Sequence, residues 1–397
     1  MKVALVHDWL TGMRGGEKVL EVLCERHPDA ELFTLLHVPG SVSPAIERLT
    51  IHTSVLQQLP GIRHYYRECL PLFPKLIERF DLNRFDLVLS SSHCVAKSVL
   101  VGPTAIHICY CHTPMRYAWD QFDAYFGAAR IGRAASAIMR RVMGRLARWD
   151  RDTSGRVHRY VTNSQHVAGR IRRYYNREAT VVYPPVDTEF FHPDSAVPGR
   201  YALVVSALVP YKRLDLAIDA CRIAGVPLKI VGEGPDRGRL ERRARDHGEG
   251  KDPCPAVEFL GRCRKEEVRE LYRRAAVVML PGEEDFGIVP LEAQACGRPV
   301  VAYARGGALE TVIAEETGLL VEEAAPAAFA DAVRRAIDRR FDSSAIRRHA
   351  ERFERRRFVT EMEALVRETL GTPRTGRTPD SPGTPGQAGT EPVETAR

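Results

Sequence analysis

Residues 275–309, AAVVMLPGEEDFGIVPLEAQACGRPVVAYARGGAL, constrain the fold more tightly than any other stretch of the chain. An apolar run (275–280) leads through a polar turn into a predicted helix over about 287–296, and a second apolar run (299–303) follows. Pro290 falls in the first helical turn, where a missing amide does no harm, and Gly297 marks the stop. Strand, loop, helix, strand is a βαβ unit. It predicts a parallel sheet whose ligand-carrying loops lie at the carboxyl ends of the strands. On this reading Glu284, in the loop, and Glu292, about one turn into the helix, flank one cleft, although two solvated helix-end glutamates would have the same spacing. The amides of Phe286, Gly287 and Ile288 open the helix, and amides left free at a helix start suit phosphate.

At 397 residues the chain exceeds what one hydrophobic core usually supports, so two domains are expected. Hydrophobic residues make up 44% and charged residues 27%, as in a globular chain. No run approaches the ~18 apolar residues of a membrane span, and MKVALVHDWL leads into charges instead of a cleavage pattern, so a cytoplasmic protein is expected. The nine cysteines are scattered without CxxC pairs, which fits reduced, buried thiols better than disulfides or zinc. Cys109, Cys111 and His112 lie close together, yet no metal is expected there. A net charge of +7, carried mainly by arginine, suits anionic substrates or lipid headgroups and is too small to point to nucleic acid.

The N-terminus reads as a strand (3–7), a loop with Gly12, Gly15 and Gly16, and a helix over about 17–26. Those glycines let the backbone approach a ligand closely, although turn geometry alone would also account for them. Strands at 31–36, 85–90 and 105–110, with helices between, are expected to complete a first α/β domain. After the last comes YCHTPMRYAWD, a polar, aromatic-rich loop carrying His112, Arg116, Tyr117 and Asp120. Over 131–149 the apolar residues Ile131, Ala135, Ile138, Val142, Leu146 and Trp149 recur at three and four, with Arg130, Arg133, Arg140, Arg141, Arg145 and Arg148 between them. This is an amphipathic basic helix, whose apolar stripe either enters the core or lies on an anionic membrane surface. Asp150-Arg151-Asp152 is formally a DxD, but it ends a helix instead of following a strand. Pro184 and Pro185 stiffen an expected interdomain link, and a strand, the loop ALVPYKR and a helix then repeat the opening of the first half.

Glu284 and Glu292, with seven residues between them, resemble the Glu-x7-Glu signature of the retaining glycosyltransferases of family 4. YCHTPMRYAWD is similar to a mannosyltransferase-like subgroup of that family, and HDWLTGMRGGEK and VPYKRLDLAI to other family segments. The resemblance covers about residues 1–370. It implies an α/β GT-B fold, two facing Rossmann-like domains with an interdomain cleft. The bounds would be 1–185 for an acceptor-side domain, 186–200 for a linker, 201–352 for a nucleotide-sugar-binding domain and 353–370 for a helix returning to the first domain; 371–397, rich in Pro, Gly, Thr and Ser with almost no large apolar residue, is expected by its composition to be a disordered tail.

The resemblance also implies roles. Glu284 would meet the hydroxyls of the donor sugar, Glu292 the ribose, and His112 the sugar. Lys212, with Arg213 beside it, would meet the phosphates, as would Gly15, Gly16 and the amides of Phe286, Gly287 and Ile288. The backbone at Arg262 and Cys263 would hold the base, and Arg116, Tyr117 and Asp120 are candidates for the acceptor. One departure stands out: Ala207 occupies a place where many family members carry an arginine. The implied activity uses no metal or cofactor and moves a hexose, from GDP-mannose by preference, to a glycan or lipid-linked acceptor, at the inner face of a membrane if 131–149 binds one. A same-face route is the family's favoured mechanism, and a covalent route through a carboxylate stays open. Two other readings remain: a sugar-nucleotide 2-epimerase of the same architecture, and a non-catalytic nucleotide-sugar-binding protein.

Overall fold

The structure is a computed structural model that describes residues 1–195, 199–246 and 255–371. Residues 372–397 of the expected tail, and Cys254, lie outside them. The first sheet is built from β1 (Val3–His7), β2 (Glu31–Thr34), β3 (Thr50–Thr53), β4 (Leu87–Ser92), β5 (Ile106–Cys111), β6 (Arg159–Thr162) and β7 (Ala179–Val181). The second contains β8 (Ala202–Val205), β9 (Leu228–Val231), β10 (Val257–Gly261), β11 (Val277–Leu280), β12 (Val300–Tyr303) and β13 (Gly318–Val321). Their orders are β3-β2-β1-β4-β5-β6-β7 and β10-β9-β8-β11-β12-β13, and every pairing is parallel. In each sheet the order reverses beside the first strand, between β1 and β4 and between β8 and β11. Crevices for ligands open at such switch points.

Parallel strands covered by helices on both faces have no solvent side, which is why β4 and β11 read as continuous apolar or small-residue runs and are buried throughout. Along β1, Ala4 and Val6 enter one core with Phe33, Val88 and Leu146, while Leu5 enters another with Leu32, Leu89 and Ile108. That second core is closed by Phe358, Met362 and Leu365 of the helix Arg355–Gly371, which therefore packs on the first sheet. Burying each of these three stabilises that docking by roughly 1.5–3 kcal/mol at most. Residues 186–195, where a linker was expected, lie against the second domain. Their Phe191 is too apolar to leave in water and is buried with Leu203 and Tyr272, while the Val186 amide donates to the Phe353 carbonyl at 2.9 Å.

The basic helix differs from the expectation of one element over 131–149. Gly132 adopts φ 84°, which breaks the chain into a short turn, Ala128–Ile131, and a helix, Arg133–Asp152. Its apolar stripe also turns inward. Met143 and Leu146 are buried in the first core, with Met139, Val142 and Trp149 packed against it, and Ile138, expected in that stripe, is instead 63% exposed. Asp150, the first residue of the formal DxD, is fully buried 3.1 Å from Lys97 Nζ, and accepts from Trp119 Nε1 and Tyr175 OH, each at 2.8 Å. It is a structural hub. No helix among the described residues is long and apolar enough to cross a membrane.

Candidate functional site

The loops after β1 and β5 face the loops after β8, β11 and β12 across the cleft. The helix Gly15–Arg26 follows β1, so Gly15 and Gly16 stand at its start and not in the loop before it. Each touches a different side of the site. A Cβ on Gly15 would lie 3.6 Å from Ile288 Cδ1 of the second domain, and one on Gly16 would lie 3.5 Å from His112 Nε2 and from His7 Cε1. The loop after β4 is held by Asp8, whose carboxylate accepts the amides of His93 (2.7 Å), Cys94 (3.0 Å), Val95 (2.6 Å) and Ala96 (2.7 Å). Such a fourfold anchor keeps that wall rigid.

His112 is fixed through its backbone, its amide donating to Ser92 O at 2.8 Å and its carbonyl accepting from Asn163 Nδ2 at 3.0 Å. Burial, with His93 and His7 alongside, pushes its pKa down to about 3, so the ring is neutral at physiological pH. On the opposite wall the loop after β11 leads into the helix Ile288–Ala295, which begins at Gly287 (φ 90°) without a side-chain cap. Glu284 is nearly buried and bonded to Lys212 Nζ, from the turn Pro210–Lys212 after β8. Burial alone would lower the Lys212 pKa, but the Glu284 carboxylate outweighs it and holds the ammonium charged.

Two glycines allow that approach. A Cβ on Gly282 would sit 2.6 Å from Tyr211 O and 2.8 Å from Lys212 Cα, and one on Gly306 would sit 2.2 Å from Glu284 O. Glu292 is buried, accepts from Tyr272 OH at 3.3 Å, and is bonded to Lys18 of the first domain. Phe286 is buried against Tyr183 at 5.6 Å between ring centroids, so it contributes its backbone to the site and not its ring.

The remaining candidates separate. Arg116 crosses the cleft to Asp285, with Nε 2.9 Å from Oδ2, and its guanidinium lies 5.3 Å from the Tyr211 ring centroid. Asp120 is taken up by Arg170 and Tyr174 of its own domain. Tyr117 packs against the first core beside Tyr125. Arg213, at φ 52°, turns toward Asp215 of its own helix at 3.4 Å. Arg262 is exposed and Cys263 half-buried just beyond β10.

Lys18, Arg170, Tyr272, Gly282 and Asp285 escaped the sequence reading. Arg170 Nη1 donates to Asp285 Oδ1 and to Thr113 Oγ1, both at 2.7 Å. Glu310 of the second domain also accepts the amides of Gln165 (2.9 Å) and His166 (3.0 Å), the first two of a first-domain helix. The cleft is therefore crossed by second-domain acids meeting first-domain cations and amides.

Sequence and structural likeness bear on the family and the fold. Residues 13–190 match the model of Glycosyltransferase Family 4 and residues 186–355 that of Glycosyl transferases group 1. The chain is 34% identical over 264 residues to the D-inositol 3-phosphate glycosyltransferase of Acidothermus cellulolyticus, covering 59% of this chain and 58% of the relative. It is 34% identical over 196 residues to the GDP-mannose-dependent alpha-(1-6)-phosphatidylinositol monomannoside mannosyltransferase of Mycobacterium tuberculosis, covering 43% of this chain and 50% of that one. The match thus spans about half the length of these curated relatives. Among solved structures, Anabaena HepE in complex with UDP-glucose superposes with a TM-score of 0.66 at 17% identity, over 93% of this chain and 99% of that one, which establishes the shared GT-B fold. By its two facing parallel-sheet domains and by both family matches, this chain belongs to the family 4 glycosyltransferases.

Proposed function

We propose that the protein is a retaining, metal-independent glycosyltransferase that moves a hexose from a nucleoside diphosphate sugar to a glycan or lipid-linked acceptor. The observation that carries this reading is the Lys212–Glu284 pair at the uncapped start of the helix Ile288–Ala295, with Glu292 one turn further along. As the anomeric bond breaks, negative charge grows on the leaving diphosphate, and a preorganised ammonium beside free helix-start amides stabilises it. Arg116 offers a second cation where Ala207 offers none. Its guanidinium and Lys212 Nζ lie 5.3 and 5.2 Å from the same Tyr211 ring centroid. Glu284, Glu292 and Asp285 are each held by a cation, an arrangement suited to orienting hydroxyls more than to attacking carbon.

GDP-mannose is the preferred donor on this reading, supported by the mycobacterial mannosyltransferase and by the YCHTPMRYAWD loop. Screening GDP, UDP, ADP and dTDP for binding, then the matching sugars for nucleotide release with and without acceptors, tests it. Nucleotide release that needs no acceptor and leaves an altered sugar would instead favour the epimerase.

Glu284→Gln keeps size and removes charge. Losing charge-assisted bonds of about 1.5–3 kcal/mol each should slow transfer at least about tenfold while free nucleotide still binds. Glu292→Ala should weaken free nucleotide and donor alike. If only the sugar-bearing donor lost affinity, the two glutamates would exchange roles.

The helix Arg133–Asp152 supports a peripheral membrane position, although by another route than its apolar stripe. Arg133, Arg141, Arg145 and Arg148 are exposed and have no acidic partner among the described residues, and Arg145, Arg148 and Arg156 line one shallow hollow with Trp149. At about 1 kcal/mol for each cation near an anionic surface, this face would bind by charge and not by insertion. Flotation with anionic vesicles should therefore recover the protein at low salt and lose it at high salt. Equal recovery with neutral vesicles, or none with either, returns the helix to a purely structural role.

A further inference from the structure

Behind His112 lies a file of buried polar groups with no counterpart in the sequence reading. His112 Nε2 is 2.8 Å from Ser91 Oγ, and the same oxygen is 3.1 Å from His7 Nδ1. The far nitrogen of that ring, His7 Nε2, is buried without a hydrogen-bond partner, and faces Glu17 Oε1 at 3.8 Å. His7 and Ser91 are fully buried and Glu17 nearly so. The other oxygen of Glu17 accepts the Arg14 amide at 3.1 Å. Burial raises the Glu17 pKa, but the His7 ring, with His93 and Arg14, outweighs it and holds the carboxyl below its ordinary value, so it is an anion at neutral pH.

We infer that Glu17, His7 and Ser91 are positioning residues that set the tautomer of His112, so that its Nδ1 faces the cleft as a hydrogen-bond acceptor. The inference rests on the reading of His112 as a donor-sugar contact. An imidazole nitrogen that faces a carboxylate is stabilised as N–H and repelled as a lone pair, so at a pH where an imidazole carries one proton Glu17 places that proton of His7 on Nε2. His7 Nδ1 is then an acceptor. Ser91 has one hydroxyl proton, and His7 Nδ1 takes it. The Ser91 oxygen can now only accept from His112, which puts the His112 proton on Nε2. His112 Nδ1, which has no protein partner among the described residues, is left with its lone pair toward the cleft. A sugar hydroxyl meeting it must donate, and a group offering only a lone pair is refused. Without the file, neutral His112 would be free to sample both tautomers, and part of the discrimination would be lost.

The test is spectroscopic, because a merely structural role would not move it. In the full chain labelled with 15N on its histidines, long-range proton–nitrogen correlation at mildly alkaline pH identifies protonated and unprotonated ring nitrogens, and H112Q assigns the His112 signals. Nε2 should be protonated and Nδ1 unprotonated. In S91A and E17Q the two His112 nitrogens should move toward averaged shifts, and donor binding should weaken about threefold to tenfold. A proton on Nδ1 in the parent overturns the inference, as does a tautomer unchanged in both variants. If S91A does not fold, E17Q, which removes the charge and keeps the shape, still decides. The expected tautomer together with His112 signals that no nucleotide sugar perturbs would leave the file standing and defeat the donor reading alone.

Discussion

Lys212→Ala is expected to slow turnover about 100 to 1,000-fold, because removing a preorganised charge partner of a developing anion typically costs about 2.7–4 kcal/mol. Arg213→Ala is expected to do far less. Arg213 is bonded toward Asp215 of its own helix, whereas Lys212 Nζ is nearly buried and sits on the Glu284 carboxylate. The backbone sends these two neighbouring cations different ways. Arg213 takes φ 52° to start the helix Leu214–Ala224, and that turn throws its side chain away from Lys212. Donor affinity should fall less than turnover, since charge on the diphosphate is larger in the transition state than in the bound donor. Lys212→Ala also leaves Glu284 without its partner, so the thermal midpoint must be measured alongside. Turnover within a few-fold of the parent, in a protein that remains folded, would move the clamp elsewhere and with it the placement of the donor in the second domain.

How much of this was legible beforehand follows from the range of each interaction. β1, β4, β11 and β12 could be read because both of their faces are buried, which forces apolar runs, and the turns between them carry glycine or proline. Glu284, Glu292 and the start of Ile288–Ala295 were local to one βαβ unit. Lys18 was not, since it meets Glu292 across 274 positions of sequence, and Arg170 meets Asp285 across 115. A cation on a helix surface looks like any solvated residue until another domain is brought against it. The break at Gly132 was missed for a different reason: the apolar spacing runs on through it, and only the positive φ shows that the helix starts afresh. The same spacing placed Ile138 in the stripe, while the packed face follows Met139, Val142, Met143 and Leu146.

Those long-range pairs also determine what holds the two domains together, and Asp285→Asn is the change expected to loosen them most. Asp285 is nearly buried between Arg116 and Arg170, its Oδ1 2.7 Å from Arg170 Nη1 and its Oδ2 2.9 Å from Arg116 Nε, while its carbonyl accepts from Ser164 Oγ at 2.6 Å. Asparagine keeps the shape and removes the anion shared by two guanidinium groups, of which Arg170 retains Asp120 while Arg116 loses its paired carboxylate. Breaking a well-buried ion pair from one side costs about 3–5 kcal/mol. Because both arginines keep some contact with water, the loss here should fall at or below the lower end of that range. Burial raises the Asp285 pKa, but Arg116 and Arg170 outweigh it and hold the carboxyl below its ordinary value. A depressed folded-state pKa means that the contribution is present above the unfolded carboxyl's value and is lost as the pH falls through the folded one. Acidification should therefore lower the thermal midpoint of the parent toward that of Asp285→Asn and leave the variant less affected. Small-angle scattering at neutral pH should report a more open variant, since Asp285 ties the second domain to two separate segments of the first. A variant as compact and as heat-stable as the parent would show that Lys18 with Glu292, and Glu310 at the start of the helix Gln165–Tyr175, hold the cleft closed without it.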